Sequence, residues 1–242
     1  MTDSTPRKEH LFCLYGSQTG NSEQAAEDFC RQISQVYTTA FFQKHNLPAV
    51  EVETTCIQLD DFMELRNAEY TKCMVIFVSS YGVGQAPLGA YRFRSFADKL
   101  VDGANPSMLK GLSYAICGLG DSNYPTYLKN PTTIDKGLTV AGAQRIGDLG
   151  KADAHHQIGD KAQHKVIAKW IDDLWVPLAK ALTDSSKKPD LVEMQSATIS
   201  ILQELDPDFK KSSGGLPPFV YAIGALVAIL AVLIGMGVVK LP

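Results

Sequence analysis

The sequence predicts an α/β domain built on a parallel sheet, followed by one long apolar helix near the C-terminus. Three observations predict it. Apolar strand-like runs alternate with helical patterns along the first 182 residues. Three of those runs end in polar, glycine-bearing loops. Phe219 to Val239 is a stretch of 21 uncharged, mostly apolar residues.

The first run, His10 to Tyr15, stops at Gly16. Ser17-Gln18-Thr19-Gly20-Asn21-Ser22 follows, and a helical stripe of Ala25, Ala26, Phe29, Cys30, Ile33 and Tyr37 comes next. Strand, tight polar loop and helix start make a phosphate site: outward-pointing N–H groups and the helix dipole both favour an anion. The hydroxyls of Ser17, Thr19 and Ser22 add donors. No lysine or arginine lies between Leu14 and Gln24, so the loop would hold its phosphate with neutral groups. It lacks the Gly-Lys-Ser/Thr ending of a Walker loop and the third glycine of a Rossmann fingerprint. Alone, it also fits an ordinary βα turn with a capped helix.

Lys44 to Pro48 reads as a loop, Val50 to Leu59 as a strand, and Asp60-Asp61 as the opening of a short helical piece. Cys73 to Val78 is continuously apolar, as in a strand buried on both faces. It runs into Ser79-Ser80-Tyr81-Gly82-Val83-Gly84. Tyr91 to Leu100 is helical. Leu112 to Cys117 is a strand ending in Gly118-Leu119-Gly120-Asp121-Ser122-Asn123-Tyr124. Thr133 to Ala141 reads as a helix, Ala143 to Leu149 as a short fifth strand, and His164 to Leu182 as a closing helix that Pro177 kinks or ends. In parallel sheets ligands bind at the carboxyl ends of strands, so the three loops should gather at one edge.

The site that these loops suggest is a flavin site. The first loop anchors a phosphate, and Tyr81 and Tyr124 are placed to cover two ring faces. Glycines 82, 84, 118 and 120 let backbone approach the ring's polar edge. Free to flip, the Gly82 peptide could offer its carbonyl to a protonated flavin N5.

These motifs resemble the FMN domain of the diflavin reductases, the group that includes the microsomal haem-monooxygenase reductase and methionine synthase reductase. The resemblance runs from about Leu11 to Leu182. It rests on Tyr15 to Ser22, Ser79 to Gly84, Gly118 to Tyr124, Ile134 to Leu138 and Gly142 to Ile146. It implies a flavodoxin-like three-layer sandwich with a five-stranded parallel sheet. It also implies FMN held by Ser17, Gln18, Thr19, Gly20, Asn21, Ser22, Ser80, Tyr81, Gly82, Val83, Gly84, Leu119, Gly120, Asp121, Asn123, Tyr124, Tyr127 and Asp153. No residue is expected to act as a catalytic acid, base or nucleophile, and none as a metal ligand. The family's acids are replaced by Gln85, Ala86 and Leu88 after the second loop, and Asp153 is followed by Ala154-His155-His156. This departs from the usual docking of a basic partner.

The formal charge of −3 lies within the first 185 residues, because five lysines balance five acids from Ser186 onward. An acidic head argues against nucleic acid. Five cysteines without a Cys-x-x-Cys pair read as reduced thiols, with Cys13, Cys56, Cys73 and Cys117 buried in strands. The expected organisation is a flexible N-terminus over 1–9, the FMN domain over 10–183, a linker over 184–218 in which Ile199 to Leu205 could form a short amphipathic piece, and a membrane tail anchor over 219–239. At 1.5 Å per residue, 21 residues span about 31 Å, matching a hydrocarbon core of about 30 Å. Lys210 and Lys211 outnumber Lys240, placing the head in the cytosol. The endoplasmic reticulum is preferred over the mitochondrial outer membrane, because the family's haem acceptors often sit there.

With no FAD or NADPH module after Leu182, electrons are expected from a separate FAD- and NAD(P)H-binding flavoprotein reductase, for delivery to a haem or iron–sulfur protein. Two rivals stay open: an FMN quinone or nitro reductase using NAD(P)H directly, and a flavin-free module that recruits partners to a membrane.

Overall fold

The computed structural model describes residues 7–65 and 70–207. The predicted membrane span, 219–239, lies outside them. Among the described residues no helix is long and apolar enough to cross a membrane.

Six strands form one parallel sheet: β1 (Arg7–Gly16), β2 (Val50–Gln58), β3 (Cys73–Ser79), β4 (Ser113–Gly120), β5 (Gln144–Arg145) and β6 (Gly150–Asp153). Their order is β2-β1-β3-β4-β5, with β6 also paired to β4. The sheet therefore has five positions, and the last is split. The predicted fifth strand, Ala143 to Leu149, pairs with β4 only at its start, and pairing resumes at Gly150 against Cys117. The strand can return so close because Gly150 has no Cβ: one built there would stand 2.7 Å from the Cys117 sulfur.

Alternation divides the sheet into two faces. Phe12, Leu14, Met74, Ile76, Val78, Tyr114 and Ile116 point into one core. It is covered by α3 (Leu59–Glu64), α4 (Tyr91–Val101), α5 (Lys129–Val140) and α7 (Leu191–Leu205). Leu11, Cys13, Cys73, Val75, Phe77, Ala115, Cys117 and Leu119 point into the other. That side is covered by α1 (Asn21–Val36) and α6 (Gln163–Thr183). Three layers result, as the resemblance implied. Trp175 stacks on Phe29 with ring centroids 5.0 Å apart, and the Tyr37 hydroxyl donates to the Trp175 carbonyl at 2.8 Å.

The structure corrects several boundaries. Strand β1 starts at Arg7, inside the segment expected to be flexible. Arg7, Lys8 and Glu9 pair in register with Val50, Glu51 and Val52, so the polar end of β1 is held by backbone bonds rather than by burial. A short helix, α2 (Thr39–Lys44), was not anticipated; the Thr38 hydroxyl caps it by accepting from the Phe41 amide. Helix α5 starts at Lys129, four residues early, because Pro131 is tolerated in the first turn. Pro177 does not end α6, which continues to Thr183 with Leu174, Trp175 and Leu178 buried around the missing N–H.

The largest correction lies in the expected linker. Residues 191–205 of it form α7, whose Met194, Ile201 and Leu202 are buried in the α4 side of the core. Thr198 is fully buried. Its hydroxyl donates to the Met194 carbonyl at 2.8 Å and so must accept from the Tyr70 hydroxyl, also 2.8 Å away. Thr198→Val keeps the shape and leaves the Tyr70 hydroxyl without that partner. It is expected to cost about 1–3 kcal/mol, read from denaturant melts.

Cys13, Cys73 and Cys117 are buried free thiols. Cys56, expected to be buried, is only partly so, because β2 is an edge strand.

Candidate functional site

The chain passes from β1 to β2 on one side and returns to β3 on the other, so the sheet has its switch point between β1 and β3. Crevices for ligands form at such points. Here the loops after β1, β3 and β4 enclose a cleft of about 400 Å³.

Gly16 ends β1 where a Cβ would stand 2.6 Å from that of Ala90, so the chain turns there without a side chain. Gly20 precedes α1 in the left-handed region, at φ 90°. Nothing lies within 4 Å of where its Cβ would be, so only backbone conformation selects glycine. Gly20→Ala is expected to cost about 1–2 kcal/mol, visible as a lower denaturation midpoint at unchanged slope.

The Ser17 hydroxyl accepts from the amides of Gly20 at 3.0 Å and Ser22 at 3.2 Å, curling the loop on itself. Ser22 is 0 % exposed, and its own hydroxyl oxygen has no hydrogen-bond partner. A buried polar atom without a partner is costly, and this one belongs to a residue lining the cleft at a helix N-terminus. The Ser79 hydroxyl, at the end of β3, is in the same state. Among the described lining residues there is no lysine or arginine.

The other two loops are braced from behind. Tyr81 and Gln85 exchange backbone hydrogen bonds at 3.0 and 2.8 Å, making the second loop a tight hairpin. Asn130 is fully buried: its amide donates to the Ser80 hydroxyl at 3.0 Å and its side chain to the Ser79 carbonyl at 2.9 Å. Arg94 donates in turn to the Asn130 side chain at 3.1 Å. The Thr126 hydroxyl donates to the Gly82 carbonyl at 3.2 Å, joining the second loop to the third. That contact occupies the carbonyl expected to be free to reach the flavin.

Gly120 leaves room for the Tyr127 ring, 2.9 Å from where a Cβ would be. Burial, and secondarily the charge of Asp153, push the Tyr127 hydroxyl up to about 12. Partial burial disfavours the charged form of Asp153. Hydrogen bonds from Ser122 and the His155 amide outweigh it and hold this carboxyl below its ordinary range.

Thirteen of the sequence-predicted residues come together around the cleft: Ser17, Gln18, Thr19, Asn21, Ser22, Ser80, Tyr81, Gly82, Leu119, Gly120, Asp121, Tyr124 and Tyr127. Tyr81 and Tyr124 stand at its rim, 49 % and 60 % exposed. Five do not line it. Gly20 shapes the loop from behind. Val83 sits at the hairpin tip, 74 % exposed. Gly84, at φ 89°, packs on the Lys129 side chain. The Asn123 amide donates to the Asp121 carboxylate, and Asp153 braces the third loop.

Four lining residues were missed: Ser79, Thr126, Ala154 and Gln163. Thr126 lies between two predicted tyrosines, and Ser79 directly precedes Ser80, so both were within reach of the motifs. Gln163 opens α6, far along the chain. It accepts from the Asn21 side chain at 3.2 Å and donates to the Ala152 carbonyl at 3.1 Å. No local pattern announces that role.

Residues 13–165 match the family model described as Flavodoxin, more than half of the chain. The chain belongs to the flavodoxin family. Among its relatives is the methionine synthase reductase of Caenorhabditis elegans, 29 % identical over 198 residues, which are 82 % of this chain and 26 % of that protein. Another is the NADPH–cytochrome P450 reductase of Saccharomyces cerevisiae, 32 % identical over 149 residues, 62 % of this chain and 19 % of that protein. The chain thus spans about a quarter or less of the length of these curated relatives. Of solved structures, a cysteine mutant of flavodoxin from Pseudomonas aeruginosa shares the fold. It has a TM-score of 0.51 at 18 % identity, covering 72 % of this chain and 99 % of that one.

Membership of the flavodoxin family, with relatives among the diflavin reductases, indicates FMN as the cofactor and electron transfer as the role of the domain. The cleft fits that group. It offers an unpartnered buried hydroxyl at a helix N-terminus, a second at the end of β3, and two aromatic rings at its mouth.

Proposed function

We propose that the domain accepts electrons from a separate FAD- and NAD(P)H-binding reductase and hands them singly to a haem or iron–sulfur protein, while tethered to a membrane through 219–239. The observation that carries the flavin part is the buried, unpartnered Ser22 hydroxyl beneath a cleft rimmed by two half-exposed tyrosines. FMN bound there supplies both one-electron and two-electron redox chemistry.

The chain's own residues bind and shield. The turn at Ser17 to Ser22 and the α1 dipole would hold the phosphate with neutral donors. Tyr81 and Tyr124 would cover the ring, and aromatic pairs of this kind contribute about 0.5–1.5 kcal/mol each beyond burial. Their partial exposure leaves a route for close approach by a redox partner.

A donor and an acceptor outside the domain are supported by the names of longer relatives, NADPH–cytochrome P450 reductase and NADPH-dependent diflavin oxidoreductase. The tether is supported by the 21 uncharged residues and by Lys210 and Lys211 ahead of them. On this reading the head faces the cytosol, from the endoplasmic reticulum in preference to the mitochondrial outer membrane.

The absorption spectrum of the purified chain tests the electron-transfer reading. It should show bound flavin that NADPH alone does not bleach and that NADPH plus a diflavin-type reductase does. Bleaching by NADPH alone would establish direct quinone or nitro reductase chemistry instead. A colourless chain that takes up no added FMN would overturn the flavin reading. For the tether, deleting 219–239 should move the expressed protein from the membrane pellet to the supernatant.

A further inference from the structure

Three of the five cysteines converge from three different elements. Cys13 lies on β1, Cys56 beside it in register on β2, and Cys30 on α1 above them. Their sulfur atoms all lie within 4.8 Å of one another. The other two, Cys73 and Cys117, occupy the same face of the sheet and are not part of the group.

We propose that Cys13, Cys30 and Cys56 form a three-thiolate site for one thiophilic d¹⁰ metal ion, with Zn²⁺ as the representative probe. This site is independent of the flavin cleft and of the electron-transfer reading. A tetrahedral zinc–thiolate centre has metal–sulfur distances of about 2.3 Å, which sets its sulfurs about 3.8 Å apart. The three sulfurs therefore need to close by about an ångström or less. Soft thiolates select such ions over the hard cations that oxygen ligands hold. A disulfide would need only two of these thiols; a metal centre accounts for the third.

The surroundings fit as well. Cys13 is buried and closes the floor, while Cys30 and Cys56 are only partly buried, so an ion can enter from the α1–β2 side. That open side leaves room for water as the fourth ligand, the arrangement of zinc sites with three protein ligands. The Cys13 thiol donates to the Ala26 carbonyl at 3.5 Å and would give up that proton on binding. Binding is then Zn²⁺ plus three thiols giving one zinc trithiolate and three protons, with no change of oxidation state.

The test uses the full chain, kept reduced with a phosphine. One equivalent of Zn²⁺ should be held against a chromogenic chelator, and protons should be released as it binds. Cys30→Ser and Cys56→Ser should each weaken retention by more than the roughly 10–100-fold that loss of an outer partner costs, with helical circular dichroism unchanged. Cd²⁺ added to the unmutated chain should give a sulfur-to-metal absorption band of three-thiolate intensity, a readout that needs no variant to fold. Two results would overturn the site. One is zinc lost to the chelator as readily as by the Cys30→Ser/Cys56→Ser double variant. The other is a reduced chain that gives no Cd²⁺ band while peroxide links two of the three as a disulfide.

Discussion

Ser22→Ala weakens FMN binding about tenfold to a hundredfold and leaves the flavin-free domain no less stable. The two effects separate because the hydroxyl is fully buried yet bonded to nothing within the protein. Without flavin, removing it relieves an unmet hydrogen bond. With flavin, it removes a donor to a charged phosphate, worth about 1.5–3 kcal/mol. Fluorescence titration with FMN reads the first effect and thermal melting of the flavin-free chain the second. A loss of stability without loss of affinity would show Ser22 to be a packing residue. Ser17 behaves differently: its hydroxyl already accepts from two loop amides, so Ser17→Ala should lower both quantities.

Trp175→Ala is expected to cost about 3–5 kcal/mol. The ring stacks on Phe29 and meets Tyr37 edge-on, at 5.0 and 5.6 Å between centroids, so its loss opens the α1–α6 side of the core. In a domain of this size that lowers the melting temperature by roughly 10 °C or more. Trp175→Phe, which keeps an aromatic surface, should recover more than half of the loss. Calorimetry on the chain with and without FMN tests both. The shift should be present in each state, because Trp175 lies outside the cleft.

The fold was legible in the sequence wherever burial writes a periodic pattern. β3 and β4 are apolar on both faces, and α1 carries its stripe from Ala25 to Tyr37, so all three were placed within a few residues. The site was legible where glycine ends a strand, because Gly16, Gly82, Gly118 and Gly120 mark where backbone turns or packs closely. What escaped was long-range. Gln163 reaches the first loop only because α6 crosses the sheet, and Asn130 braces Ser79 and Ser80 across 50 residues. The Thr126 contact on the Gly82 carbonyl is of the same kind, since each partner looks like a free loop group until the sheet brings them together.

Helix α7 is legible in the sequence only at its end, Ile199 to Leu205, for a related reason. Ser185, Ser186, Lys187, Lys188 and Pro189 look like the start of a tether, and the apolar positions that follow are too few to declare a core helix by themselves. Tyr70 and α4 supply the partner surface. The consequence reaches the proposed membrane arrangement. With α7 ending at Leu205, thirteen residues, 206–218, would separate it from the proposed span instead of the thirty-five from 184. Fully extended, thirteen residues reach at most about 45 Å. The head would then be on a short leash. Under the proposed tether it would search only a thin shell of solvent over the bilayer, and an acceptor would have to present its own cofactor close to the lipid surface to be reached.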